Sequence, residues 1–383
     1  MIKNLRKHSW AASPTHNTGK AQSIIALVPT SMLTSSRNLL KLARNDRSLH
    51  PRVAIYYVTA QCNLNCAYCE DFGARRNETN QRPLPLEQVM HILRVIRSGV
   101  DSLMLTGGEP FTHPQIDQIA LSAKKELKFS ELTIISNGFL LPQHEAALPA
   151  LDRLIVSLDC LDPHKWSDAL GVPTSTAQII LANIRKYAGL QSQFGYRMIV
   201  NTVLTPETLS GAEELLQFCS ENKLLISFSP QAVNNWPRYE LTVSAEYRAF
   251  IEKLIQQKRK GAPILGSAAY LQTLSAFQPY DCYPTLAPRI YPNGELSYPC
   301  RPLEKAGNGQ GGRPVNLLDV KNWAEAWEIA RQAYGQPPRS CHSCFQQCYA
   351  EPSLMQAQPL ALLNEWLRYP SSRAANLTTY SPG

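Results

Sequence analysis

"CNLNCAYCEDF", residues 62–72, places Cys62, Cys66 and Cys69 within eight positions, with Tyr68 directly before the third cysteine. Thiolates hold zinc or iron–sulfur centres. A closed structural zinc site wants four ligands, commonly from two Cys-x-x-Cys pairs, and this loop offers three. His50 and Glu70 stand nearby, at no familiar ligand spacing. A four-iron cluster held by three cysteines keeps one iron open, as a catalytic zinc keeps a fourth position for chemistry. The competing reading is a zinc or disulfide loop.

The chain around the loop alternates between short β-branched or aromatic runs and longer helical patterns. "VAIYYV" (53–58) reads as a strand feeding the cysteine loop. A helix near 86–98 precedes a strand at 101–106, and a helix near 114–127 precedes a strand at 131–136. A short helix around 142–149 leads to a strand at 152–159, and a helix at 176–189 to a strand at 196–204. The last unit is a helix at 208–222 and a strand at 224–229. Six β/α units in a row build a parallel sheet through right-handed crossovers. Their number suits an open, partial (β/α)6 barrel rather than a closed eightfold one. Ligands gather at the C-terminal strand ends of such sheets. The cysteine loop, "TGGEP" (106–110), "SNG" (136–138) and "SLD" (157–159) all fall there.

The sequence closely resembles the radical S-adenosylmethionine (radical SAM) superfamily over roughly residues 51–230. The resemblance rests on "CNLNCAYC", with its aromatic residue before the third cysteine, on "TGGEP" about forty residues later, and on "ISNG", "IVSLD" and "VNTVL" in that order. It implies that Cys62, Cys66 and Cys69 ligate a [4Fe–4S] cluster whose open iron takes the amino and carboxylate groups of S-adenosylmethionine. Gly107, Gly108, Glu109 and Pro110 would hold the amino group, and Tyr68 would pack by the adenine. Ser136, Asn137, Ser157, Asp159 and Asn201 would approach the ribose and carboxylate; a Ser or Asn at a strand end also serves simply as a helix cap. The chemistry implied is reductive cleavage of the cofactor to methionine and a 5′-deoxyadenosyl radical. That radical abstracts hydrogen from an unactivated C–H or adds to an alkene, with the protein supplying position and water exclusion. The electron would come from a donor such as ferredoxin or flavodoxin.

Five further cysteines follow as Cys282-x11-Gly-x5-Cys300, then Cys341-x2-Cys344-x3-Cys348. With the hairpin signal "IYPNGELSYPC" they resemble the SPASM and twitch auxiliary-cluster extensions of the same superfamily. A full two-cluster extension uses seven cysteines, so one auxiliary [4Fe–4S] cluster is expected, with Cys282, Cys300 and two of the last three as ligands; a single zinc site is the alternative. Cys219 sits on the apolar face of a helix and reads as a small buried hydrophobe. The expected organisation is an N-terminal extension at 1–50, the barrel at 51–235, a helical linker at 236–278, a small Cys-rich auxiliary-cluster domain at 279–350 and a C-terminal segment at 351–383 with a helix over 354–368.

Charge narrows the partners. The chain of 383 residues has a formal net charge of +8, and residues 1–50 hold eight Lys and Arg against Asp46 alone, so the remainder is close to neutral. A broad nucleic-acid surface is not expected. No apolar run reaches the roughly 20 residues of a membrane span. Clustered cysteines without a secretory signal place the chain in a reducing, cytoplasmic compartment. Ser23–Arg44 mixes leucines and isoleucines with basic residues, so it suits either peripheral contact with an anionic membrane or a helix packed on the core. The extension lacks the strand-rich pattern of a leader-binding module, and no cobalamin-binding domain precedes the barrel. A lipid, isoprenoid or other small-molecule substrate is the first expectation, and modification of a peptide or protein the alternative. A non-catalytic iron–sulfur or zinc scaffold is the remote one. Gln231, Asn234, Asn235, Trp236 and Arg238, after the sixth strand, are candidate substrate contacts or an ordinary polar loop.

Overall fold

The computed structural model describes residues 30–69, 82–339 and 344–358, with side chains from Arg37 onward. The described residues form eleven strands in chain order: β1 (Ala54–Thr59), β2 (Ser102–Gly107), β3 (Glu131–Ser136), β4 (Arg153–Ser157), β5 (Arg197–Leu204), β6 (Leu225–Pro230), β7 (Ala232–Val233), β8 (Trp236–Pro237), β9 (Arg289–Ile290), β10 (Glu295–Tyr298) and β11 (Gly312–Asn316). β1 to β6 pair in sequence order and all in parallel. The sheet does not close on itself: its order is β11-β10-β9-β1-β2-β3-β4-β5-β6.

All six residues of β1 are buried, which is the condition of a parallel strand covered on both faces. The helix Leu86–Arg97 shows why the crossovers form. It buries Val89, Met90, Leu93 and Ile96 at three- and four-residue spacing and carries Arg94 and Arg97 in its last turn, where the helix dipole favours cations. The segment expected as a helix at 142–149 is two 3₁₀ turns, Leu141–Gln143 and Glu145–Ala150, because Pro142 and Pro149 cannot extend an α-helical ladder. The helix Pro163–Leu170 lies outside the expected elements; Asp162 caps it by accepting from His164 N at 2.8 Å.

The Cys-rich region is not set apart from the barrel. β9 pairs in parallel with β1, through Ile55–Arg289 and Tyr56–Ile290, and β10 then runs antiparallel to β9 and β11. The edge that an isolated six-stranded barrel would leave unpaired at β1 is thereby covered, which removes a row of unsatisfied backbone groups. The helix Trp323–Tyr334 completes the join: Trp323 N donates to Ser98 Oγ at 2.8 Å, and the Trp323 ring occupies the space where a Cβ on Gly99 would sit. The final helix runs over Gln347–Ala357, earlier than expected, and its expected continuation to 368 lies outside the described residues.

Of the N-terminal extension, the helix Thr30–Ala43 is described. Asn38 is fully buried and exchanges hydrogen bonds with the backbone of His50 (2.7 and 3.1 Å), while Leu42 packs against Leu49, Tyr283 and Leu286. That face therefore belongs to the core, and Leu39 and Leu40 face outward. No helix among the described residues is long and apolar enough to cross a membrane.

Candidate functional site

The C-terminal ends of β1 to β6 surround a cavity of about 430 Å³. β1 delivers the cysteine loop to it. The loop is pinned from behind by Asn65 N donating to Leu170 O (3.1 Å) and Ala67 N to Ala169 O (2.9 Å). Both acceptors belong to the helix Pro163–Leu170, which ends in Gly171 at φ +64°; a side chain there would meet Asn65 O at 2.8 Å. Cys62, Cys66 and Cys69 all line the cavity. Burial pushes the Cys62 thiol up to about 11 and the Cys66 thiol up to about 12, and the neighbouring acidic groups add to the shift. A bound metal reverses that cost by deprotonating the thiols outright.

"TGGEP" begins where the pairing of β1 and β2 ends. Gly108 N donates to Thr59 O (3.0 Å) and Glu109 N to Gln61 O (2.8 Å), so the two loops are laced backbone to backbone. A Cβ on Gly108 would stand 2.2 Å from Gln61 O, which excludes any side chain. The requirement for glycine at position 108 is thus imposed by the neighbouring loop itself. Glu109 does not reach into open space. Its carboxylate is fully buried and accepts from Phe111 N (3.1 Å), Ser136 Oγ (3.0 Å) and Asn137 N (2.7 Å). Burial raises its pKa to about 7 despite those three donors. Asn137 carries the link onward, donating from Nδ2 to Asn63 Oδ1 in the cysteine loop at 2.8 Å.

On the other side, Asp159 is buried behind β4, where it accepts from Val203 N at 2.7 Å and from the Tyr68 hydroxyl. Burial lifts its pKa to about 6. Asn201 accepts from Ser227 Oγ at 2.9 Å.

The structure therefore brings together on one cavity Cys62, Cys66, Cys69, Tyr68, Gly108, Glu109, Ser136, Asn137, Ser157 and Asn201. Gly107, Pro110 and Asp159 do not line it. Gly107 is packed on Thr59, Pro110 is buried at the start of a 3₁₀ turn, and Asp159 spends both oxygens on Tyr68 and Val203. These three support the wall of the cavity. Of the residues after β6, Gln231 lines the cavity. Asn234 and Asn235, both at positive φ, make the tight turn between β7 and β8; Trp236 is exposed, and Arg238 pairs with Glu207 and Glu240 at the surface.

Sequence reasoning did not single out Tyr57, Arg289 or Gln346, which also line the cavity. Arg289 is 8% exposed and donates to Tyr57 Oη (3.0 Å), Gln346 Oε1 (2.9 Å) and Cys348 Sγ (2.8 Å). The only signal available in the sequence was its place just before the hairpin "IYPNGELSYPC".

Cys282, Cys300 and Cys344 are buried beyond this wall, and Cys348 is half-buried at it. Cys282 Sγ receives Ser353 Oγ at 3.9 Å, and the Cys344 carbonyl accepts from the Tyr280 hydroxyl. Cys341 lies outside the described residues. Among the described residues no three His, Cys, Asp or Glu side chains converge as ligands of one metal ion. A zinc ion needs its ligands at about 2.0–2.3 Å from a single centre, so Cys62, Cys66 and Cys69 do not form such a site. Thiolates on different irons of a cluster need not share a centre. Three thiols on one pinned loop, facing a cavity with polar strand ends opposite, fit a cluster with an accessible corner.

Comparison with known proteins gives the same family. Residues 56–219 match the model of the radical SAM superfamily. A protein of Methanococcus aeolicus described as a "Probable GTP 3′,8-cyclase" is 27% identical over 175 residues, covering 44% of this chain and 56% of that protein. The GTP 3′,8-cyclase of Mycobacterium marinum is 29% identical over 231 residues, covering 57% and 62%. The chain thus spans a little over half the length of these relatives. Streptococcus suis SuiB, in its crystal structure bound to S-adenosylmethionine, shares the fold with a TM-score of 0.58 at 22% identity, over 78% of this chain and 70% of that one. The matched segment, a little under half of the chain, holds the cysteine loop and the strand-end motifs of the open parallel barrel and is similar to the radical SAM superfamily.

Proposed function

We propose that this chain is an enzyme that cleaves S-adenosylmethionine reductively and uses the resulting radical to take a hydrogen atom from a polar small-molecule substrate. The observation that carries the reading is the convergence of three loop cysteines and the ends of β2 to β5 on one cavity. When bound, a [4Fe–4S] cluster and S-adenosylmethionine supply one-electron chemistry: an electron from a ferredoxin- or flavodoxin-type donor, the cofactor and a substrate C–H yield methionine, 5′-deoxyadenosine and a substrate radical.

The chain's own residues position and enclose. Cys62, Cys66 and Cys69 hold the cluster. Gly108 and Glu109 fix the β2 loop against the cysteine loop, and Ser136, Asn137, Ser157 and Asn201 present polar groups across the cavity. Tyr68 stiffens the cysteine loop through Asp159, whatever face its ring offers to an adenine. Leu64, Trp166 and Leu170 close the rim with apolar surface that keeps water away from a reactive carbon centre. Cys282, Cys300, Cys344 and Cys348, with Cys341, are the ligand pool for one auxiliary cluster.

A polar lining that includes Asn201, Gln231, Arg289 and Gln346 suits a polar small molecule better than an isoprenoid chain. Among the described residues, the outward Leu39 and Leu40 of the helix Thr30–Ala43 are what would support peripheral membrane contact. A second reading is peptide modification. It draws on SuiB, whose fold this chain shares and which has also been solved with its precursor peptide SuiA.

Anaerobically reconstituted protein, given S-adenosylmethionine and a strong reductant, should form 5′-deoxyadenosine. Equal amounts from the native chain and a Cys62/Cys66/Cys69→Ala triple variant would end the proposal. Deuterium transfer into 5′-deoxyadenosine from a labelled extract, followed by identification of the donor, would separate small-molecule from peptide substrates.

A further inference from the structure

Arg289 joins two regions that the sequence keeps apart. It lines the cavity, yet its Nη2 donates to Cys348 Sγ at 2.8 Å and to Gln346 Oε1 at 2.9 Å, while Nη1 donates to Tyr57 Oη at 3.0 Å. The guanidinium carbon stands 4.8 Å from the centre of the Tyr349 ring. The side chain is buried, and a buried guanidinium is costly unless a negative charge answers it. Of its three acceptors, the phenol and the amide are neutral at ordinary pH. Cys348 is the acceptor that becomes an anion when a metal binds it.

Cys348 does not stand alone. It lies in the helix Gln347–Ala357, whose first two turns gather other thiols. Tyr349 Oη accepts at 3.5 Å from Arg301 N, the residue directly after Cys300. Ser353 Oγ lies 3.9 Å from Cys282 Sγ and donates to Tyr349 O at 2.6 Å, and Cys344 stands just before the helix. An all-sulfur donor set drawn from separate segments fits an iron–sulfur cluster and not a hard cation. Tyr57, Gln346 and the Tyr349 ring hold the plane of Arg289, so the donor aimed at Cys348 is fixed. A hydrogen bond to a ligand sulfur and a positive charge beside it both favour the reduced, more negative cluster. We infer that Arg289 is a positioning residue of the auxiliary centre: it fixes Cys348 as the cluster ligand at the cavity wall and raises the reduction potential of the cluster that Cys348 helps to hold. This inference rests on the auxiliary cluster proposed above and commits it to one ligand and one tuning group.

The test removes the first cluster and keeps the second. The full chain carrying Cys62/Cys66/Cys69→Ala, reconstituted with iron and sulfide, should retain about four iron atoms. Titration with dithionite, followed by electron paramagnetic resonance, then reads the potential of the remaining cluster. Adding Arg289→Gln should lower the reduced-to-oxidised ratio at a fixed potential by about tenfold, which is about 59 mV for one electron. Arg289→Lys keeps the charge and a donor and should recover more than half of that shift. Tyr57→Phe leaves the arginine in place and loosens it, so it should lower the potential less, and it carries the test where an arginine variant fails to fold. Cys348→Ser should lose iron or, with iron kept, change the resonance spectrum. Full iron with an unchanged spectrum and potential in Cys348→Ser would overturn the ligand assignment. An unchanged potential in Arg289→Gln, or in Tyr57→Phe where it stands in, would overturn the tuning role. Absence of iron from the triple variant would refute the auxiliary cluster itself, whereas 5′-deoxyadenosine formation by the native chain tests the radical chemistry separately.

Discussion

The two flanks of the cavity are built on opposite electrostatic plans. On the flank formed by β2 to β5, the buried carboxylates are answered from within. Glu109 takes three donors and Asp159 takes two, all from the adjoining strand ends and loops. On the β9 flank, Arg289 is braced by side chains, donating to Tyr57 Oη, Gln346 Oε1 and Cys348 Sγ, and its Nε–H has no acceptor. A saturated network positions its own members and has little left for a ligand. The difference separates carboxylates braced within the barrel from a cation braced by the Cys-rich region that β9 brings onto it.

The strongest way to break the comparison is at the cysteine loop. Replacing Cys62, Cys66 and Cys69 with Ala should reduce cluster-bound iron by about four atoms per chain and bring 5′-deoxyadenosine formation to background. Iron analysis and product chromatography read both. The Gly108→Ala variant comes next. Its Cβ would stand 2.2 Å from the backbone oxygen of Gln61, so the lacing must open. We expect a stability loss of about 1–3 kcal/mol in chemical denaturation, together with weaker S-adenosylmethionine binding.

The Glu109 network gives a pH test. Its pKa of about 7 in the folded chain lies above the ordinary carboxylate value, so the folded state holds a proton that the unfolded chain gives up. Stability of the metal-free protein should therefore be greatest below about pH 4.5 and fall as pH rises to about 7, by on the order of 3 kcal/mol. Asp159, raised to about 6, acts in the same direction. In Glu109→Gln the slope between pH 5 and 8 should flatten. Because an amide cannot accept from all three donors, its stability at pH 6 should also be lower, by about 1–3 kcal/mol. An unchanged slope in denaturation curves would show that the carboxylate is not titrating as its burial implies. The smallest effect should come from the rim. Asn235→Gly, in a turn that already demands positive φ, should move stability by less than about 0.5 kcal/mol and leave product formation unchanged.

Much of the first flank was legible in the sequence, because local patterns carry it. Strand composition, the spacing Cys62–Cys66–Cys69 and the Gly107–Gly108–Glu109 turn are read along the chain, and parallel β/α order brings consecutive strand ends together without further information. What the strand-end polar residues do was less legible. Glu109 and Asp159 appear in sequence as ligand contacts, yet in the fold they are largely internal braces, because burial makes an unsatisfied carboxylate costly and the nearest backbone N–H groups lie on neighbouring strands.

The second flank could not be read from sequence at all. Tyr57 and Arg289 are 232 positions apart and touch. They meet because β1 was left with a free edge and β9 covers it, which carries the Cys-rich region onto the barrel instead of beside it. The sequence by itself determined the open parallel barrel and the cysteine loop, since each depends on neighbours within one β/α unit. Only the tertiary structure decided which polar groups are saturated and which remain open to a ligand, since hydrogen-bond satisfaction is a property of groups brought together across distant strands.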